Sequence, residues 1–146
     1  MKKVLLALLL IVVSTMVGCS ATAKPSETKS IYEVIEIENV SMSISDFTPT
    51  GGKLIIKDMN ETPYTYGSFY ILETQKDGEW YELQTKIKNY GFTDIGYLPN
   101  ENGEVIFNLN WKGLYGELPR GTYRILKQVN QQYISTTFGW GISATP

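Results

Sequence analysis

Beyond residue 30 the apolar positions of this chain recur every second residue, the period of a half-buried β-strand. Residues 31–38 set Ile35 and Ile37 against Glu36 and Glu38. Residues 41–47 alternate again around Met42, Ile44 and Asp46, and in 53–59 Leu54 and Ile56 share one face with Ile55 on the other. Residues 66–74 read as one long aromatic-rich strand, and 80–84 as its hairpin partner across Lys76-Asp77-Gly78-Glu79, where Asp-Gly is a strong short-range hairpin signal. Residues 87–99 break the alternation and read as an irregular excursion with short strand pieces. Alternation resumes at 104–111, with Val105, Phe107, Leu109 and Trp111 on one face. Residues 122–129 and 133–140 form a closing hairpin around Asn130, Gln131 and Gln132. Turn clusters punctuate the series at Thr48-Pro49-Thr50-Gly51-Gly52, Asn60-Glu61-Thr62-Pro63, Asn100-Glu101-Asn102-Gly103 and Leu118-Pro119-Arg120-Gly121. No stretch of ten or more residues carries a helical period with caps, and 110–118 has room for one helical turn at most. Seven to nine short strands with regular turn signals predict an all-β fold, an antiparallel β-sandwich.

The first thirty residues obey other rules. Met1-Lys2-Lys3 precedes an apolar run from Val4 to Val13, and Met16-Val17-Gly18-Cys19 follows. A charged start, a short apolar stretch and small residues at a cut site mark an export signal. The run is shorter than the roughly 20 apolar residues of a membrane-spanning helix. The string ending at Cys19 resembles the lipobox of bacterial lipoproteins, with Met16 standing where that family commonly has leucine. The resemblance implies that the Cys19 thiol receives a diacylglycerol and that Cys19 becomes the first residue of the mature protein. Two or more acyl chains, each buried methylene contributing roughly 0.8 kcal/mol, would then hold the protein stably on the membrane. Residues 20–30 are small, polar and proline-bearing, and read as a flexible tether. The expected organisation is a lipoprotein signal peptide at 1–18, a lipidated Cys19 and tether at 19–30, and one sandwich domain at 31–146.

Composition narrows the chemistry. The chain has 13 Lys+Arg and 15 Asp+Glu, a formal net charge of −2, and loses Lys2 and Lys3 with the signal. Nucleic-acid binding demands a basic surface to neutralise phosphates, and this chain has no basic cluster. It has no histidine, which excludes a His-based triad, a histidine zinc site and an imidazole proton relay. Its single cysteine is taken by the lipid on this reading, which leaves no disulfide and no thiol nucleophile. Ten Tyr, five Phe and three Trp must supply the core instead.

Four strings carry a resemblance. They are Tyr66-Gly67-Ser68-Phe69-Tyr70-Ile71-Leu72-Glu73, Asp77-Gly78-Glu79-Trp80-Tyr81-Glu82-Leu83, Trp111 with Tyr115-Gly116, and Leu118-Pro119-Arg120-Gly121-Thr122-Tyr123-Arg124-Ile125. Together they resemble the bacterial Ig-like domain of Firmicutes envelope proteins over roughly residues 40 to 140. The last string also looks like the turn before strand F of immunoglobulin-like sandwiches. There Pro119 and Gly121 would shape the corner, and the Tyr123 hydroxyl would bond back to nearby backbone as a tyrosine corner. The resemblance implies no catalytic residues.

Catalytic and metal readings find little support. Glu36 and Glu38 share a strand face, as solvated strand residues must, and no Asp-x-Asp-x-Asp-Gly loop accompanies them. Gly51-Gly52 reads as a turn rather than a phosphate loop. No Gly-x-Ser-x-Gly string is present, which leaves a Ser/Lys pair as the remaining hydrolase option. No metal, no cofactor and no catalytic residue are expected. Tyr64, Tyr66, Tyr81, Tyr90 and Tyr97 lie in or near turns, where a tyrosine either completes the core or offers contact area at little entropy cost. Tyr90, Phe92 and Tyr97 are the candidate contact surface. The expected function is that of a non-catalytic, lipid-anchored binding or accessory module on the extracytoplasmic face of the cell membrane, with an envelope protein or wall polymer as partner. The alternative is a ligand sensor or enzyme inhibitor acting through residues 87–99.

Overall fold

The computed structural model describes residues 21–142, so the signal segment and Cys19 lie outside the described residues. Nine strands follow in order: β1 (Val40–Thr48), β2 (Gly51–Asp58), β3 (Tyr66–Gly67), β4 (Ile71–Lys76), β5 (Glu79–Glu82), β6 (Gly96–Tyr97), β7 (Glu104–Asn110), β8 (Gly121–Val129) and β9 (Gln132–Trp140). They build one sheet of order β1-β2-β7, a second of order β5-β4-β8-β9, and a small β3-β6 ladder, with every strand pair antiparallel. The expected sandwich is therefore present, and no helix occurs among the described residues.

The core lies between the sheets. Leu54 and Ile56 of β2 and Val105 and Phe107 of β7 face Leu72, Tyr123, Ile125, Val129 and Phe138 of the other sheet. Phe138 stacks on both Trp111 and Tyr123, each at 5.7 Å between ring centroids, and tilts against Phe47 of β1 at 5.1 Å. The edges β1 and β9 thus meet on one flank, and β5 lies at the opposite edge. Trp111 Nε1 donates to Pro49 O at 2.9 Å, which satisfies the one polar atom of the largest buried side chain. Tyr123 Oη donates to Pro119 O at 2.6 Å, the geometry of a tyrosine corner.

Turn chemistry sets the registers. Asp77 and Gly78 both have positive φ, 52° and 81°, as a two-residue hairpin between right-twisted strands requires. Asn130 and Gln131, at 46° and 67°, do the same between β8 and β9 without glycine. In β1 the register slips between Ser45 and Thr48, and Asp46 has φ 50°. That bulge inverts the phase, so Met42 and Ile44 face the core before it and Phe47 after it.

Four details differ from the sequence reading. Gly51 and Gly52 belong to β2 rather than to the turn. A Cβ on Gly52 would stand 3.0 Å from Trp111 Cη2 and 3.1 Å from Ile44 Cδ1, so a larger residue there would push on both side chains. Residues 31–38 form no strand; only Val34 bridges, in parallel, to Tyr133. Ile35 and Ile37 are half-buried and Glu36 and Glu38 exposed, so the alternation marks a segment lying on the domain without pairing along its length. The long strand expected at 66–74 is broken at residues 68–70, between β3 and β4.

The fourth difference concerns residues 21–30, read as a flexible tether. They lie along the sandwich as a strap. Thr22 bridges Glu117, Pro25 bridges Leu83, and Ser26 N and Ser30 N donate to Glu82 O and Trp80 O at 2.8 and 2.7 Å. Ala23 is buried in the core. Low hydrophobicity suggested a free chain, but a segment this polar can stay docked when its backbone finds partners on an open sheet edge. Tyr123→Phe removes the corner bond and leaves Pro119 O without that donor. It is expected to cost about 1 kcal/mol or more, and an unchanged melting temperature would show that the bond is energetically idle.

Candidate functional site

The outer face of the β5-β4-β8-β9 sheet is covered. Glu73 of β4 and Arg124 of β8 are directly paired across the ladder, and both point away from the core because Leu72 and Ile125 point into it. Arg124 Nε donates to Glu73 Oε2 at 2.5 Å, its guanidinium sits 4.6 Å from the Trp80 ring centroid, and its Nη2 donates to Ser30 Oγ at 3.3 Å. Glu73 is fully buried, and its Oε1 has no hydrogen-bond partner among the described residues. Ile71 and Leu126 on this face are buried as well, which a solvated sheet face would not allow. The strap crosses here: Tyr32 Oη donates to Glu82 Oε2 at 3.2 Å, its ring tilts on Tyr133 at 4.9 Å, and Ile35 N donates to Tyr133 O. Burial, with Glu73 nearby, raises the Glu82 carboxyl against the opposing bond from Tyr32, and burial pushes the Tyr32 hydroxyl up to about 12.

Beside Tyr32 and Glu82 opens a cleft of about 930 Å³. One wall is the sheet end with Phe69, Tyr70 and Ile71, its floor is Leu114 and Tyr115, and its lid is the excursion through Ile87, Tyr90, Phe92 and Ile95. Phe92 is the pin of that lid. Its ring meets Tyr90, Phe69 and Tyr70 edge-on at 4.8, 5.1 and 5.4 Å. Ser68 Oγ donates to Thr93 O at 2.7 Å, and the β3-β6 pair ties Tyr66 to Tyr97. The excursion therefore has a defined shape although it has little regular structure.

The break at residues 68–70 coincides with a buried lysine that the sequence reading missed. Lys127 lies on the core face of β8, with 1% of its surface exposed. Its Nζ donates to Gly67 O and to Phe69 O and stands 4.1 Å from the Phe107 ring centroid. These two carbonyls flank the break between β3 and β4, and Phe69 there lines the cleft wall. No carboxylate among the described residues pairs with the ammonium, and burial pulls Lys127 down from its ordinary 10.5 to about 8. Asp58 is a second buried charge outside the predicted set. It accepts from Tyr64 N, Asn60 N, Asn60 Nδ2 and Tyr66 Oη at 2.8 to 3.0 Å. Burial opposes its ionisation, but these four bonds outweigh that and hold the carboxyl below its usual range. The only sequence signal for either residue was a charge placed on the inward phase of a strand.

Of the predicted contact residues, Tyr90 and Tyr97 are exposed and Phe92 is half-buried as a structural pin. Tyr97 also rests edge-on against Phe107 at 5.3 Å. Tyr66 is a core residue, and Tyr64 and Tyr81 are half-buried. Pro119, Gly121 and Tyr123 sit together in the corner, away from the cleft. Ser68 Oγ and Lys127 Nζ both engage backbone carbonyls, so this neighbouring serine and lysine do not form a Ser/Lys pair. No group of three or more His, Cys, Asp or Glu suited to a metal occurs among the described residues.

Between pH 8 and 10.5 the unfolded chain holds a lysine proton that folded Lys127 has lost, so the cost of burying the ammonium is relieved and the fold gains stability as pH rises through that window. Lys127→Met removes the effect. The stability difference between wild type and variant should move in favour of wild type by about 2 kcal/mol from pH 7 to pH 10 in denaturant titrations. A pH-independent difference would contradict the buried, uncompensated ammonium. Tyr66, Tyr70 and Tyr115, all raised by burial, add a separate dependence above pH 10 that is common to both proteins.

No curated protein and no solved structure shows significant similarity to the chain. A family model described as bacterial Ig-like domain matches residues 36–139. That span begins in the segment leading to β1 and closes in β9, so it takes in both sheets, the corner and the whole excursion. By this match, and by the two antiparallel sheets that realise it, the chain belongs to the bacterial Ig-like domain family.

Proposed function

We propose that this protein is a lipid-anchored accessory module of the bacterial surface. Residues 1–18 direct export, Cys19 carries the diacylglycerol, and the sandwich acts as a non-catalytic binding domain on the extracytoplasmic face of the cell membrane of a Firmicutes envelope. The observation that carries this reading is the pinned excursion, which leaves Ile87, Ile95, Tyr97 and Leu98 exposed on the family module. Tyr97 supplies amphipathic contact area of the kind that binding surfaces use. An envelope protein or wall polymer suits such a surface. The volume of the adjoining cleft favours a second reading, a sensor or inhibitor that seats a small ligand beside Tyr32 and Glu82. A thermal-shift screen of envelope metabolites in which none raises the melting temperature would remove that second reading.

The primary test is fractionation with intact-mass analysis. Wild type should be in the membrane fraction with a diacylglyceryl mass on Cys19. Cys19→Ser should leave for the medium or stay uncleaved. A cleaved, unlipidated form retained on the membrane would contradict the anchor. A photo-crosslinker at Tyr97 should then capture one reproducible envelope component, and no product in growing cells would count against the binding role.

A further inference from the structure

The strap fixes more than the N-terminal course of the chain. Ala21, the first described residue, is already docked: its carbonyl accepts from Lys86 Nζ at 2.8 Å and from Glu117 N at 3.2 Å. Only Ser20 separates Ala21 from Cys19, so covalent geometry keeps the two Cα atoms within about 7.6 Å. The root of the excursion is at the same place, because Lys86 N donates to Leu114 O and Gln84 N to Lys24 O. A lipid on Cys19 therefore emerges beside residues 84–90. Among the described residues, 21–30 are docked along the domain rather than forming a free tether.

The surface at that flank is suited to a lipid headgroup region. Ile87, Tyr90 and Ile95, which share the rim of the cleft, are 47%, 43% and 53% exposed. Lys24, whose carbonyl is bound by Gln84 N, and Lys88 are exposed, with long stems that can lie along apolar surface while the ammonium groups meet phosphates; Lys86 is engaged by Ala21 O. Asp94 and Glu117 lie close by, and Glu117 is neutralised by Lys112 at 2.8 Å. Aliphatic and tyrosine side chains interleaved with lysine are the composition that settles at a membrane interface.

Resting on the lipid-anchor reading above, we propose that the Ile87, Tyr90 and Ile95 rim docks on the bilayer that holds Cys19. The sandwich then lies on its β5 flank with β1 and β9 facing away. The acyl chains supply the affinity and the rim supplies the orientation. The strap bonds at Ala21, Pro25, Ser26 and Ser30 transmit the anchor position to the fold. The domain is held flat rather than displayed at the end of a flexible arm.

The test uses the full lipidated protein in vesicles of phosphatidylcholine and phosphatidylglycerol whose acyl chains carry bromine. Ile87→Trp adds a fluorophore at the rim, and Ser43→Trp adds one on β1 at the opposite flank. Emission added by the Ile87→Trp substitution should fall at least twofold relative to unbrominated vesicles, with little change for that added by Ser43→Trp. Equal quenching in both variants, or none in either while the protein still floats with the vesicles, would overturn the docked orientation and leave the anchor intact. Intact mass lacking diacylglycerol, with no flotation, would overturn both. Hydrogen exchange of the unsubstituted protein gives an independent readout: slower exchange at residues 86–95 on vesicles is expected, and unchanged exchange there rejects the proposal.

Discussion

The two sheets are joined by rings. The chain has one cysteine and no histidine, so no intrachain disulfide and no histidine-held metal can close the sandwich. Phe138 of β9 takes that role by stacking on Trp111, which follows β7, and on Tyr123 of β8. Burial of such side chains is the largest favourable contribution a small domain commands. Each neighbour adds a constraint that fits it. Gly52 has no side chain to push on Trp111, the Asp46 bulge turns Phe47 onto Phe138, and both polar tips in the stack bond to the carbonyl of a proline. These contacts explain why the corner and the β1 bulge occur where they do.

Around this apolar centre lie three buried charges among the described residues, each answered differently. Asp58 is saturated by hydrogen bonds and closes the loop that carries Tyr64 and Tyr66. Glu73 is paired with Arg124 under a strap that excludes water. Lys127 has only carbonyls and a ring face, and is the least compensated. Replacing a buried charge by an apolar residue is often neutral for stability, so the retention of these groups is better explained by what they position. Lys127 binds the carbonyls that flank the break between β3 and β4, where Phe69 packs on Phe92 at the foot of the excursion.

The strap and the excursion meet at Lys86 and Ala21, which ties the N-terminal segment to the candidate contact surface. Residues 21–30 are thus hydrogen-bonded to the domain's flank rather than forming a flexible arm. Family membership alone would not reveal this, since the matched span starts at residue 36 and leaves residues 21–35 outside it.

Much of the architecture was legible from period and turn chemistry. The alternation in β2, β7, β8 and β9, the Asp-Gly hairpin and the Pro-x-Gly-x-Tyr corner are local, because a strand face and a two-residue turn are determined by neighbours in sequence. The strap, the broken 66–74 strand, the glycines of β2 and the buried Lys127 were not legible. Their reasons lie across the sheet: a backbone edge open to receive residues 22–30, a lysine sixty residues from the carbonyl it binds, and a tryptophan in the space a Cβ would fill. Sequence alone determined that the chain would form a β-sandwich; it marked Tyr90 and Tyr97 on the excursion but not the exposed Ile87, Ile95 and Leu98. Tertiary structure decided that Phe92 pins that excursion while Tyr90 remains exposed, and that residue 21 is docked beside it, because both outcomes depend on contacts between segments far apart in the chain.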